Sequence, residues 1–285
     1  MNNIHSKHAT KVNFLIAGVQ KGGTTALDYY LRQHPEVCMA IKKEVHFFDN
    51  EKLFSNDKQP DYSIYHRNFN CNKNQRLLGE STPIYSYWKP ASKRIFEYNK
   101  KMKIIVLLRN PIERAFSHWN KETINYHSYA NKQTEAVETL SFYNALINEK
   151  SRTLEALPMQ HRYYSYVDRG LYSQQIENIL RYFSRNQLLI LKSEWLRHDA
   201  ENTLNKVYDF LQISHQSLPK APIGGSIEKK DKSSPVDNPS TNLNNSGHYK
   251  SIKSKRAKDY LIVSFKDDIT NLEKLLDWDC QDWLE

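Results

Sequence analysis

The chain has 285 residues, 39% of them hydrophobic and 12% aromatic, and a formal net charge of +9. That length supports one α/β domain with a real core, and that composition excludes a disordered chain. No apolar run approaches the roughly 20 residues that span a bilayer, so no integral membrane segment is expected. The charge excess is concentrated at Lys229, Lys230, Lys232, Lys250, Lys253, Lys255, Arg256 and Lys258, which fits anionic ligands and equally a solvated basic face that aids solubility. Zinc-finger spacing, a basic heptad helix and an RNP-type aromatic strand are all missing, so nucleic acid is not the expected partner.

The first eleven residues are polar, and the apolar run behind them is short, continues into glycines and lacks a small-residue cleavage site. No secretory signal is expected. That run predicts a strand over 13–19, followed by a glycine-rich turn and a helix over 24–33. Further strands are predicted over 103–108 and 187–191, and further helices over 111–121, 172–183, 200–211 and 251–276. Residues 219–250, rich in Pro, Ser, Asn, Gly and Lys, read as a long loop or lid. Strand and helix alternate, which predicts a single α/β domain over 1–285 with a central parallel sheet flanked by helices. Its core would span 11–218, with the C-terminal helix and tail at 251–285, and its ligands would sit at the carboxyl ends of the strands. Cys38, Cys71 and Cys280 are odd in number, far apart and without metal-ligand spacing, which favours a reducing cytoplasm.

The turn after the first strand reads Gly18-Val19-Gln20-Lys21-Gly22-Gly23-Thr24-Thr25. Backbone N–H groups at the start of the following helix would face an anion, so this is a phosphate cradle. The spacing is close to a Walker loop, but Thr24 occupies the lysine position and the lysine is displaced to Lys21. A second constellation closes the strand over 103–108 with Arg109-Asn110-Pro111, where Asn110 can cap a helix that begins at Pro111. Ser117 then lies about two turns along. A guanidinium fork and a hydroxyl suit one phosphate, although Arg109 paired to a carboxylate with Ser117 facing solvent fits the spacing equally well.

Together these two segments resemble the sulfotransferases that use 3′-phosphoadenosine 5′-phosphosulfate (PAPS). The likeness continues through Gly79-Glu80-Ser81-Thr82-Pro83, through Arg169-Gly170-Leu171-Tyr172 and to Trp278 and Trp283. Lys43-Glu44-Val45-His46-Phe47-Phe48-Asp49 makes it greatest for bacterial and heparan sulfate-type members. The resemblance implies a P-loop-like sulfotransferase fold and transfer of a sulfuryl group from PAPS to a hydroxyl, without a metal. Lys21 would stabilise charge on the leaving phosphate, and the backbone of Gly22, Gly23, Thr24 and Thr25 would hold the 5′-phosphate. Arg109 and Ser117 would bind the 3′-phosphate. Tyr172 and Arg169 fall where the family places the chain close to the nucleotide, although a core tyrosine fits position 172 equally well, and Lys250 falls where the family closes over the 3′-phosphate.

Glu44 is the implied base, with His46 lining the same site, and partial burial is expected to raise the Glu44 pKa. A surface pairing of Glu44 with Lys42 or Lys43, and a core role for His46, are the structural alternatives. Heparan-type relatives carry a lysine where this chain has Ser81, which argues against a direct transfer of their substrate. Glu80 either orients the site or caps a turn. The expected acceptor is a carbohydrate, glycolipid or natural-product hydroxyl. The competing functions are a P-loop small-molecule kinase and a non-catalytic nucleotide- or polyanion-binding protein.

Overall fold

Alternating apolar residues decide which side of the sheet each helix covers. The structure, a computed structural model, describes residues 11–55, 60–129, 138–154, 161–218 and 252–285. Its strands are β1 (Phe14–Gly18), β2 (Val37–Met39), β3 (Leu77–Ser81), β4 (Lys103–Leu108) and β5 (Leu188–Lys192). All pair in parallel, in the order β2-β3-β1-β4-β5. The helices are α1 (Thr24–Arg32), α2 (Tyr62–His66), α3 (Lys89–Tyr98), α4 (Pro111–Tyr129), α5 (Phe142–Ile147), α6 (Glu149–Leu154), α7 (His161–Tyr164), α8 (Tyr172–Leu180), α9 (Ser193–His198), α10 (Ala200–Leu211) and α11 (Lys255–Leu276).

In β1, Phe14 and Ile16 point to one face and Leu15 and Ala17 to the other, as the period of two requires. The first pair packs with Leu27 and Leu31 of α1 and with Leu204, Val207 and Leu211 of α10. The second pair joins Ile95 of α3, Ile176 of α8, Leu261 and Phe265 of α11, and Trp283. Both faces are covered, which is why the central strands read as continuous apolar runs. Gly79 of β3 lies opposite Phe14, and a Cβ there would stand 2.1 Å from that ring, so no larger residue fits.

The expected α/β architecture with a parallel sheet flanked by helices is the one observed. Two strands lie outside the predicted set. β2 has three residues, and β3 ends in Gly79-Glu80-Ser81, whose polar side chains are fully buried. Helix α4 runs to Tyr129, past the predicted end at 121. The cysteine reading needs correction: Cys38 and Cys71 form a disulfide, because β2 lies against the segment leading into β3, and Cys280 is the buried free thiol. Residues 219–250, including Lys250, lie outside the described residues.

Candidate functional site

Parallel strands end at one edge of the sheet, and three of those ends carry the predicted residues. The chain leaves β1 to one side for β2 and β3 and crosses to the other for β4 and β5. The carboxyl end of β1 is therefore the switch point where open α/β sheets form a crevice. Beyond β1, the Val19 N–H donates to the Leu107 carbonyl at 3.0 Å and the Gly22 N–H to the Val19 carbonyl at 2.9 Å, folding the turn onto β4. A Cβ on Gly22 would lie 2.4 Å from the Leu107 oxygen, so the turn can close only around glycine. Gly23 caps α1 in the left-handed region (φ 94°). The first helical bonds run from Ala26 and Leu27 to the Gly23 carbonyl. The N–H groups of Gly23, Thr24 and Thr25 thus precede the helical ladder, the position from which a helix start can meet an anion, while that of Gly22 donates inside the turn.

From the end of β4, Arg109 reaches back to the same turn. Its Nη1 donates to the Lys21 carbonyl at 3.4 Å, and its Nη2 lies 2.8 Å from Glu113 Oε2. Asn110 Oδ1 accepts from the Ile112 N–H at 2.9 Å and starts α4, on which Ser117 is buried rather than facing solvent. Arg109 therefore makes its carboxylate pair and touches the turn as well. Tyr172 is fully buried, and its hydroxyl donates to the Arg109 carbonyl at 2.8 Å. It bears on the site through the Arg109 backbone.

Residues 40–49 lie over the end of β3, the other neighbour of β1. The Glu44 N–H donates to the Ser81 carbonyl at 2.9 Å, and Ser81 pairs in register with Ile16. Ser81 is fully buried, so it gives the loop a carbonyl and the cleft no cation. The Glu44 carboxylate is half-exposed, with Lys43 Nζ 2.8 Å from Oε1 and His46 Nε2 3.6 Å from Oε2. His46 Nδ1 lies 2.9 Å from Oδ2 of buried Asp49. Burial pushes the Glu44 carboxyl up, but the His46 ring and the Lys43 charge outweigh it and hold the group well below the usual carboxylate range. That reverses the expected direction, because the two close partners act together against one desolvation effect.

Two residues anchor this loop: Tyr85, which carries no local signature, and Glu80, expected either to orient the site or to cap a turn. The Tyr85 hydroxyl accepts from the Phe47 N–H at 3.0 Å and donates to Glu80 Oε1 at 3.0 Å. Glu80 also accepts from Tyr65 at 2.8 Å and Thr82 at 2.8 Å, and burial still pushes it up to about 7 against those hydrogen bonds. Glu80 thus supports the loop from below. Asp49 had a weak signal, three residues after His46 at the end of the same segment.

Five non-glycine residues among those described have positive φ. Gln212 and Asp277 terminate helices, where the left-handed conformation is common. The other three are Lys21 (67°), Glu44 (63°) and His46 (55°). Such conformations cost about 1–3 kcal/mol each and persist only where surrounding contacts over-determine them.

The family described as Sulfotransferase domain matches residues 11–277. Human heparan sulfate glucosamine 3-O-sulfotransferase 3B1 is 33% identical, over 70% of this chain and 45% of its own length. The membrane-associated sulfotransferase kil1 of Dictyostelium discoideum is 24% identical, over 71% of this chain and 56% of its own. The chain spans about half the length of these curated relatives. A crystal structure of a sulfotransferase from Alicyclobacillus acidocaldarius superposes with a TM-score of 0.73 at 25% identity, covering 97% of this chain and all of that one.

Proposed function

The chain belongs to the sulfotransferase family, and on that premise we propose that it transfers a sulfuryl group from PAPS to a carbohydrate hydroxyl by one in-line displacement. The observation that carries the reading is the coincidence of strain with chemistry. Apart from two helix ends, the described non-glycine residues in the left-handed region are the three to which this chemistry assigns charge and proton transfer. The N–H groups of Gly23, Thr24 and Thr25 would hold the 5′-phosphate, and Arg109 with Ser117 the 3′-phosphate. Lys21, beside them, would stabilise charge developing on the leaving phosphate as the S–O bond to it breaks.

Glu44, held ionised at neutral pH, takes the acceptor's proton while the acceptor oxygen bonds to sulfur. His46, whose Nδ1 lies on the Asp49 carboxylate, turns its Nε2 edge to Glu44 and helps hold that carboxylate ionised and in place. The carbohydrate acceptor rests on the glycan named for the heparan sulfate relatives, while buried Ser81 argues for a sugar other than theirs. Among the described residues no helix is long and apolar enough to cross a membrane. The Cys38–Cys71 disulfide favours an oxidising compartment over the cytoplasm.

Incubation with PAPS carrying labelled sulfur and a panel of glycan acceptors, in EDTA, tests the reading. Label transfer that falls at least about 100-fold in Lys21→Ala supports it. A requirement for ATP and Mg²⁺ identifies a kinase instead, and donor binding without transfer a non-catalytic protein.

A further inference from the structure

Arg169 sits in the one-turn helix Asp168–Gly170 and is 4% exposed. Its Nε donates to Ser165 Oγ at 2.7 Å and its Nη1 to Gln20 Oε1 at 2.9 Å. Its guanidinium carbon lies 4.7 Å from the centre of the Tyr87 ring, and the Tyr87 hydroxyl donates to Asp168 Oδ2 at 2.6 Å. The backbone around it is fixed as well, since Gln175 Nε2 donates to the Arg169 and Leu171 carbonyls, each at 3.0 Å. A buried guanidinium with this many fixed contacts is a rigid fork, and it reaches across to the β1 turn at the side chain of Gln20, immediately before Lys21.

We propose that Arg169 is a positioning residue for the Lys21 turn, acting through the Gln20 amide. The proposal rests on the reading of that turn as the donor site. Arginine has donors and no acceptor, so the amide must present its oxygen to Arg169 and its NH₂ group elsewhere. The contact settles the orientation of Gln20 and holds the peptide that enters the left-handed Lys21. Lysine in place of Arg169 keeps the charge but loses the fork that serves Ser165 and Gln20 at once.

Two measurements decide it. In ligand-free protein, amide hydrogen exchange over residues 19–25 should quicken about tenfold in Arg169→Lys and in Gln20→Ala. Gln20→Glu, which keeps an oxygen facing the guanidinium, should stay within about twofold of wild type by the same principle. In turnover, Arg169→Lys should lower kcat about tenfold while the KM for PAPS changes less than about threefold, the pattern of a group that acts in the transition state. Gln20→Glu should instead raise that KM, because it sets a carboxylate beside the phosphosulfate. Unchanged exchange in both Arg169→Lys and Gln20→Ala overturns the proposal, as does equal quickening in Gln20→Ala and Gln20→Glu, or a full kcat in Arg169→Lys. If Arg169→Lys fails to fold, the half-buried Gln20 variants carry the test. Wild-type protein that transfers no sulfuryl group while its exchange responds as expected refutes the donor-site reading and leaves the positioning role standing.

Discussion

Removing one oxygen atom, by Tyr85→Phe, tests whether the Glu44 loop is held from beneath. The Tyr85 side chain is 1% exposed, and its ring packs on Phe48 with centroids 5.5 Å apart, a contact that phenylalanine preserves. The hydroxyl is the partner of the buried Phe47 N–H at 3.0 Å and one of three donors to Glu80. Leaving a buried amide unpaired costs about 1–3 kcal/mol, and losing the bond to the carboxyl about 1 more, for a total of roughly 2–4 kcal/mol. Urea denaturation should show this as a lower midpoint at constant slope. Because Phe47 follows His46, the loop should also shift, and misplacement of catalytic groups by about an ångström lowers kcat by up to about 100-fold. Tyr65→Phe is the control: it removes another donor to Glu80 and orphans no amide, so it should cost about 1 kcal/mol with little effect on kcat. A stability change below about 0.5 kcal/mol in Tyr85→Phe refutes the anchoring argument. So does full turnover in a destabilised variant, which would show that the loop geometry does not depend on this bond.

Three further outcomes follow from the same geometry. Glu44→Gln should lower kcat by about 10²–10⁴ with little change in the KM for PAPS. Since the Glu44 carboxyl is held well below the usual range, wild-type kcat should show no acid limb from this group between pH 5 and 7; a limb near pH 6 that vanishes in the variant refutes the lowered ionisation while leaving Glu44 as the base. Glu80 has its pKa raised from 4.5 to about 7, so the folded state binds its proton more tightly than the unfolded chain. Its contribution is full below pH 4.5 and lost as pH rises through 7, which amounts to about 3 kcal/mol. Glutamine does not ionise, so the stability of Glu80→Gln relative to wild type should rise by about that amount from pH 4.5 to 8; a difference independent of pH counts against a buried, neutralisable Glu80. Denatured, unreduced protein should titrate one thiol, Cys280, and reduction should expose all three cysteines; three thiols before reduction disprove the Cys38–Cys71 pairing.

What the sequence made legible is what short stretches of chain determine by themselves. Gly22, Gly23 and the displaced Lys21 form a turn whose shape follows from the missing Cβ atoms, and Asn110-Pro111 places Ser117 on a helix whatever surrounds it. Illegible were β2 and β3, too short or too polar to read as buried strands, and the disulfide that closes over 33 residues. The ionisation of Glu44 was misjudged for a related reason. Burial and pairing have opposite signs there, and which one wins turns on where Lys43 and His46 point, which spacing does not state.

The Glu44 loop makes the general point physically. Backbone held at φ 63° and 55° relaxes unless outside contacts hold it, and those contacts come from the Ser81 carbonyl, the Tyr85 hydroxyl, 38 positions from Phe47, and the Arg94 guanidinium, which donates to the Phe48 carbonyl from 46 positions away. A local motif names the groups that take part in the chemistry. Whether those groups stay in a strained, reactive arrangement depends on distant residues with no motif of their own, so a chain keeping residues 43–49 intact but carrying phenylalanine at position 85 should look the same by its motif and turn over more slowly.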